Sequence, residues 1–379
     1  MNEPSWRDPS RYLRHIHVDA SCLDLPYTRE ILARANLPFS VVGDLEQPVR
    51  FLDEYPYNLN LGKQHLYLTA NRGQFFKPCP GTKEYQCCQY QVLSTGMNCP
   101  MDCVYCILQA YLNNPWITHY VNVDDLLLEL DQVLDAEPGR YFRIGTGEFT
   151  DSLALDRLTG LSPILVEYFA GRKNAILELK TKSAVIENLE HLRHHGHTVI
   201  AWSLNSPHIV RKEELRAATL AERLAAAAQC ARWGYKLAFH FDPLVDHPGW
   251  REGYTETIRQ LYATVPAEAI IWISLGALRF LPRLKEIGID RFPGSKIYFQ
   301  EFIDGLDGKS RYYRKNRVEL YRFVYHLLKE RADPATCIYF CMESREIWKE
   351  VTGYIPDEFG GIAAMLDRTV FPVERQVTD

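Results

Sequence analysis

Three cysteines at spacing C-x3-C-x2-C constrain this chain more than any other feature. They lie in Asn98-Cys99-Pro100-Met101-Asp102-Cys103-Val104-Tyr105-Cys106. Thiols this close converge on one metal centre only if the backbone between them is a loop, and Pro100 and the Asn-Cys-Pro run favour a loop. A helix can begin at once behind it, in Ile107-Leu108-Gln109-Ala110-Tyr111-Leu112. A structural zinc site normally closes with four ligands, and an ordinary four-iron cluster also takes four Cys. A local set of three leaves one coordination position open, and open positions are where metal chemistry happens. Two other readings stand beside this one. They are a zinc knot completed by Cys87 or Cys88, and buried thiols at accidental spacing.

Ten cysteines in 379 residues raise the question of disulfides. The chain starts Met1-Asn2-Glu3-Pro4 with no apolar leader, and no stretch approaches eighteen apolar residues. The expectation is therefore a cytoplasmic protein without a membrane partner, in which clustered Cys mean metal or catalysis. With 46% hydrophobic and 24% charged residues the chain is globular. A net charge of −5 gives no support to broad nucleic-acid binding, although a local basic groove can hide in an acidic total.

From 90 to 300, apolar runs alternate with amphipathic stretches. The runs begin at Tyr90, Tyr141, Ala175, Thr198, Lys236 and Ala269. Between them, Asp124 to Leu134 has leucines at helical spacing, Ser183 to His195 ends at Gly196, and Thr219-Leu220-Ala221-Glu222 is a capping box opening a helix that ends at Gly234. Strand–helix repetition argues for a parallel sheet. The expected fold class is α/β: a partial (β/α)6 TIM-type barrel with N-terminal and C-terminal extensions. The expected division is 1–89, a cap with a second thiol group (Cys79, Cys87, Cys88); 90–300, the barrel; and 301–379, a substrate-side extension. Within the cap, Ser10 to Val18 reads as a strand, Pro26 to Leu37 as a helix and Leu66 to Ala70 as a strand. Buried structural thiols are the plain reading of the second Cys group, and an extra metal or cluster the sharper one.

C-x3-C-x2-C with an aromatic, Tyr105, before the last Cys resembles the cluster loop of the radical S-adenosylmethionine (SAM) enzymes. The resemblance implies a [4Fe-4S] cluster on Cys99, Cys103 and Cys106, with SAM on the fourth iron and an electron donor such as flavodoxin or ferredoxin as partner. Polar residues fall at the C-terminal ends of four expected strands, the face that carries the active site in barrel enzymes. Gly145-Thr146-Gly147-Glu148 resembles the family's Gly-Gly-Glu segment, so Gly147 and Glu148 are expected at the SAM amine. Lys182 is a cation suited to the SAM carboxylate, and Lys180 is expected on the opposite face. Ser203 and Asn205 suit ribose hydroxyls or the carboxylate. His240 is expected either at the cofactor or as a satisfied wall histidine. Tyr105 is expected to touch SAM and to take part in catalysis.

Cys79-Pro80-Gly81-Thr82, Cys87-Cys88, the cluster loop, Thr150-Asp151-Ser152, Thr181-Lys182, Ser203-Leu204-Asn205 and Gly249-Trp250 are similar to the spore photoproduct lyase family over roughly residues 60–300. Its members repair a thymine dimer of spore DNA, so the resemblance implies lyase chemistry and DNA as a partner. Both members of the family's hydrogen-return relay lack a counterpart. Glu148-Phe149-Thr150 stands where the family has its donor cysteine, and Ile107 where it has a tyrosine. Cys337 and Cys341 are four apart and share a strand face, so Cys341 is a candidate replacement donor. The run Arg311-Tyr312-Tyr313-Arg314-Lys315-Asn316-Arg317 can meet phosphates, or be one solvated helix face. Two other functions remain open: radical SAM chemistry on a non-DNA substrate, and a non-catalytic iron–sulfur or zinc protein that binds nucleic acid.

Overall fold

The computed structural model describes residues 8–43, 55–82 and 84–371. The polar stretch Met1-Asn2-Glu3-Pro4 and the last eight residues lie outside them.

A curled, open sheet of eight strands organises the chain. In spatial order they are Phe76–Pro78, Gln91–Leu93, Phe142–Gly145, Ala175–Thr181, Thr198–Ser203, Lys236–Leu244, Ile270–Ala277 and Cys337–Phe340. Spatial order therefore follows chain order, as right-handed strand–helix–strand crossovers require. Phe76–Pro78 runs antiparallel to its neighbour. The other seven strands are parallel. The six expected strands are present, and a seventh parallel strand comes from beyond residue 300. Cys337–Phe340 lies beside Ile270–Ala277 with Ser274 opposite Tyr339. One face of the sheet is closely packed. Leu177, Leu179, Ile200, Trp202, Phe239 and Phe241 are all but inaccessible to solvent. Each such side chain contributes roughly 1.5–3 kcal/mol of burial.

The helices follow their local signals, with one exception. Leu220–Arg232 starts on the Thr219–Glu222 capping box, and Val123–Ala136 and Arg314–Lys329 form as amphipathic helices. Ser183 to His195 does not become a helix and holds only the short turn Glu187–Leu189. Its polar side chains bond backbone instead. Ser183 Oγ accepts from Val185 N–H, and Asn188 Nδ2 donates to the Asp156 carbonyl. Such bonds compete with the helix ladder.

The N-terminal extension contributes three strands to a second sheet, in the order Phe39–Val42, His15–Asp19, His65–Thr69, Ile117–Tyr120 and Gly96–Met97. Helix Pro26–Ala35 belongs to the same segment. Gly96–Met97 and Ile117–Tyr120 flank the cysteine loop in sequence, so this second sheet anchors both ends of the loop.

Candidate active site

The cysteine loop is pinned by its backbone. Asp102–Cys103 pairs with Glu214–Leu215. Val104 N–H donates to the Glu213 carbonyl at 2.8 Å, and Tyr298 Oη donates to the Val104 carbonyl at 3.0 Å. Gln109 Nε2 donates to the carbonyls of Cys103 and Val104 at 3.1 and 3.0 Å. Asn98 begins the loop at φ 68°, a left-handed conformation open to Asn, and its amide donates to the Pro115 and Trp116 carbonyls. The three thiols form one patch with Met101 and Ala154. Burial pushes the Cys99 thiol up to about 12, against a downward pull from Lys63. Burial also raises Cys103, while Lys182 pulls it down. Among the described residues, no three His, Cys, Asp or Glu side chains converge tightly enough for a single metal ion.

The strand ends beside the loop carry a row of charges. Residues facing the barrel interior alternate along each strand, so Glu178, Lys180 and Lys182 share one face. The placing of Lys180 on the opposite face is corrected: two residues apart means the same side. Lys180 Nζ bonds Glu148 Oε1 at 2.5 Å. His240 Nε2 lies 2.5 Å from Glu178 Oε1. Arg279 bonds Asp242 at 3.2 and 3.1 Å and reaches Cys341 Sγ at 3.5 Å. Tyr105 Oη donates to Glu214, which also pairs with Arg223 at 2.6 Å. The Lys182 ammonium stands 5.7 Å from the centre of the Tyr105 ring. Gly147 is needed where it stands, because a Cβ there would sit 2.8 Å from Lys180 Cβ. At Gly145 a Cβ would overlap the Tyr90 hydroxyl. That hydroxyl is buried and has no hydrogen-bond partner.

Ser203 is opposite His240 in the register of neighbouring strands, and so shares its face. Asn205 is turned into the wall. Its Oδ1 accepts from Tyr254 Oη and Ser206 N–H, and its Nδ2 donates to the Pro243 carbonyl. These bonds occupy the amide that was expected to meet the cofactor, so the structure does not bring Asn205 to the other site residues. Glu178, Asp242 with Arg279, and Tyr90 were not singled out from sequence as a connected set. Their partners are distant in the chain, and only a polar residue at an inward strand position could have signalled them.

Cys341 belongs with the second thiol group. Cys79 has Glu148, Cys341 and Cys88 as electrostatic neighbours, and Cys87 has Cys88, Cys79 and Cys341. The bridge between Gln86 and Glu343 brings the Cys87-Cys88 segment to the end of the Cys341 strand. Burial pushes Cys341 up to about 12. A hydrogen bond from Cys88 lowers Cys87 to about 7. Cys79, Cys87 and Tyr90 line a cavity of about 770 Å³. Cys337 does not join them and lines a separate cavity of about 540 Å³.

The arginine run is not a free basic face. Arg311 pairs with Asp307 at 2.7 Å, Arg314 with Glu350 at 2.5 Å and Arg317 with Glu343 at 3.3 Å. Each guanidinium has a carboxylate, which the spacing of the run alone did not reveal. The hairpin Phe302–Asp304 and Ser310–Tyr312 instead presents Leu306, 79% exposed, near its tip. No helix among the described residues is long and apolar enough to cross a membrane.

A three-thiol loop at the C-terminal mouth of an open parallel barrel defines the class of the radical SAM enzymes. The chain belongs to the spore photoproduct lyase family, whose family model matches residues 72–343. It is 27% identical over 237 residues to a spore photoproduct lyase of Bacillus subtilis (strain 168), covering 62% of this chain and 67% of the relative. It is 23% identical over 318 residues to one of Clostridium acetobutylicum, covering 82% and 90%. Among solved structures, it resembles a spore photoproduct lyase double mutant with bound AdoMet and dinucleoside spore photoproduct. The TM-score is 0.75 at 22% identity, over 86% of this chain and 98% of the other. A spore photoproduct lyase complexed with the same dinucleoside gives 0.76 over the same shares. These structural likenesses establish the partial-barrel fold.

Proposed function

We propose that the chain cleaves SAM reductively at a [4Fe-4S] cluster held by Cys99, Cys103 and Cys106, and applies the product to a thymine-dimer lesion in DNA. The observation that carries this reading is the three-thiol loop set beside inward-facing Glu148, Lys182 and Ser203. The donor set fits the group: three thiols lie in one patch, and cysteine thiolates are the ligands of iron–sulfur clusters. The unpartnered Tyr90 hydroxyl at the Gly145 edge fits as well. A buried hydroxyl without a partner costs about 1–3 kcal/mol, which a bound polar ligand would relieve. When bound, the cluster and SAM supply a 5′-deoxyadenosyl radical that abstracts hydrogen.

The chain's own residues bind and position. A ligand amine would meet the backbone carbonyls of the Gly145-Thr146-Gly147 edge, whose glycines make room for Tyr90 and Lys180, and would share the Glu148 carboxylate with Lys180. Lys182 faces a carboxylate, and Ser203 a hydroxyl. Tyr105, tied to Glu214, walls the mouth and limits water. His240, held by Glu178, fixes the floor of the same face. Cys341 is the hydrogen-atom donor: its S–H bond breaks as a C–H bond forms on the substrate radical, leaving a thiyl radical on the sulfur. Burial keeps Cys341 protonated at neutral pH, as a donor of hydrogen atoms must be. An electron donor such as flavodoxin or ferredoxin supplies the reducing electron.

One observation favours a second reading, radical SAM chemistry on a non-DNA substrate. The three arginines expected at phosphates are already paired with carboxylates. The test is anaerobic incubation of reconstituted protein with SAM, dithionite and ultraviolet-irradiated spore-type DNA. Both 5′-deoxyadenosine and restored thymine are expected. Nucleoside without thymine restoration would move the assignment to the second reading, and neither product would end the radical SAM reading.

A further inference from the structure

Lys63 precedes the stretch matched by the family model, yet it touches the cysteine loop. Its side chain is 1% exposed. Its ammonium donates to the Met101 carbonyl and to Asp102 Oδ1, the latter at 3.3 Å. The same carboxylate takes Arg291 Nη2 at 3.1 and 3.0 Å. Arg291 also donates to Gln109 Oε1, whose amide nitrogen holds the Cys103 and Val104 carbonyls. Two buried cations thus grip the loop through one shared carboxylate.

The charge count is uneven. Among the described residues, Asp102 is the one carboxylate that either cation reaches. A third cation, Arg216, also lies in its field. Cys99, Cys106 and Cys103 are also electrostatic neighbours of Lys63. An uncompensated buried charge costs several kcal/mol, so a surplus cation at this place calls for an anion. Helix capping or surface solvation offers no alternative, because the ammonium is enclosed.

We propose that Lys63 is the fixed counter-charge of the cysteine loop, stabilising a bound iron–sulfur cluster most in its reduced form and so setting the potential at which the site accepts an electron. The proposal rests on the reading that Cys99, Cys103 and Cys106 hold a cluster. Three thiolates make such a group net negative, and reduction adds one further negative charge. A fixed cation in a poorly polarisable interior therefore favours reduction. Lys63 is a positioning residue for the loop as well, because its bond to Met101 fixes the turn between the first two cysteines.

The test is a redox titration of the reconstituted full-length chain, followed by electron paramagnetic resonance, with iron counted in each sample. Lys63→Gln keeps a donor for the Met101 carbonyl and removes the charge. Its ratio of reduced to oxidised cluster at the wild-type midpoint should fall about tenfold, equivalent to about 59 mV for a one-electron couple. Lys63→Arg should restore most of the shift. Asp102→Asn, which enlarges the positive surplus, should move the midpoint upward. Unchanged midpoints in Lys63→Gln and Asp102→Asn would overturn the proposal. If Lys63→Gln holds no iron, Asp102→Asn decides alone: an upward shift supports the proposal, and none overturns it. A wild-type protein that takes no iron is a different result, and defeats the cluster reading itself.

Discussion

The two thiol groups of this protein share burial but differ in the charges beside them. Around Cys99, Cys103 and Cys106 several cations gather: Lys63 and Arg291 share Asp102, and Lys182 stands over Tyr105, with Glu214 and Asp151 as further acidic neighbours. Around Cys79, Cys88 and Cys341 three cations are matched. Lys180 pairs with Glu148, Arg279 with Asp242 and Arg143 with Asp367. The same side chain is thereby prepared for two tasks. Lys63 and Lys182 pull the Cys99 and Cys103 thiols down against burial, toward the thiolates that metals require. A balanced, buried setting keeps S–H intact, which a hydrogen-atom donor requires.

The largest effect should separate the groups outright. Cys103→Ala should lose all 5′-deoxyadenosine formation and nearly all bound iron, as measured after anaerobic reconstitution, whereas Cys341→Ala should keep both. Next in size is Arg279→Met, which strands the Asp242 carboxylate. Burial raises that carboxyl, and Arg279 holds it below its usual value. Removing one partner of such a pair costs about 3–5 kcal/mol, and chemical denaturation should read that loss. If Arg279→Met is as stable as wild type, the balanced-charge account of the second group fails.

Cys341→Ala should lower restored substrate by at least about tenfold while 5′-deoxyadenosine forms normally. Product assays in deuterated buffer sharpen this, since a thiol donor exchanges with solvent. Normal restoration in the variant would remove Cys341 from the mechanism. The smallest effect concerns Cys87. Its alkylation rate should rise through a midpoint near pH 7, because the hydrogen bond from Cys88 stabilises the thiolate. Cys88→Ala should move that midpoint upward, toward an ordinary thiol.

Much of this arrangement was legible in the chain because the signals are local. Three cysteines in one short loop, an apolar strand period and the Thr219–Glu222 cap each lie within one segment. The strand ends were placed from the same period, although the parity of Lys180 against Lys182 was misread. What stayed hidden depends on distant partners. His240 meets Glu178 across 62 residues, and Arg143 meets Asp367 across 224. The arginine run reads as basic until Asp307, Glu343 and Glu350 are seen beside it. Ser183 to His195 fails as a helix because its side chains bond backbone, a choice that tertiary packing decides.

The central claim is that one thiol group takes metal and the other, in which Cys341 stays protonated, does not. The most direct measurement counts iron per chain after anaerobic reconstitution of three proteins: wild type, a variant with Cys99, Cys103 and Cys106 all changed to Ala, and a variant with Cys79, Cys87, Cys88 and Cys341 all changed to Ala. The account predicts about four irons in the wild type and in the second variant, and none in the first. Iron retained by the first variant, or lost by the second with its fold intact, would contradict it.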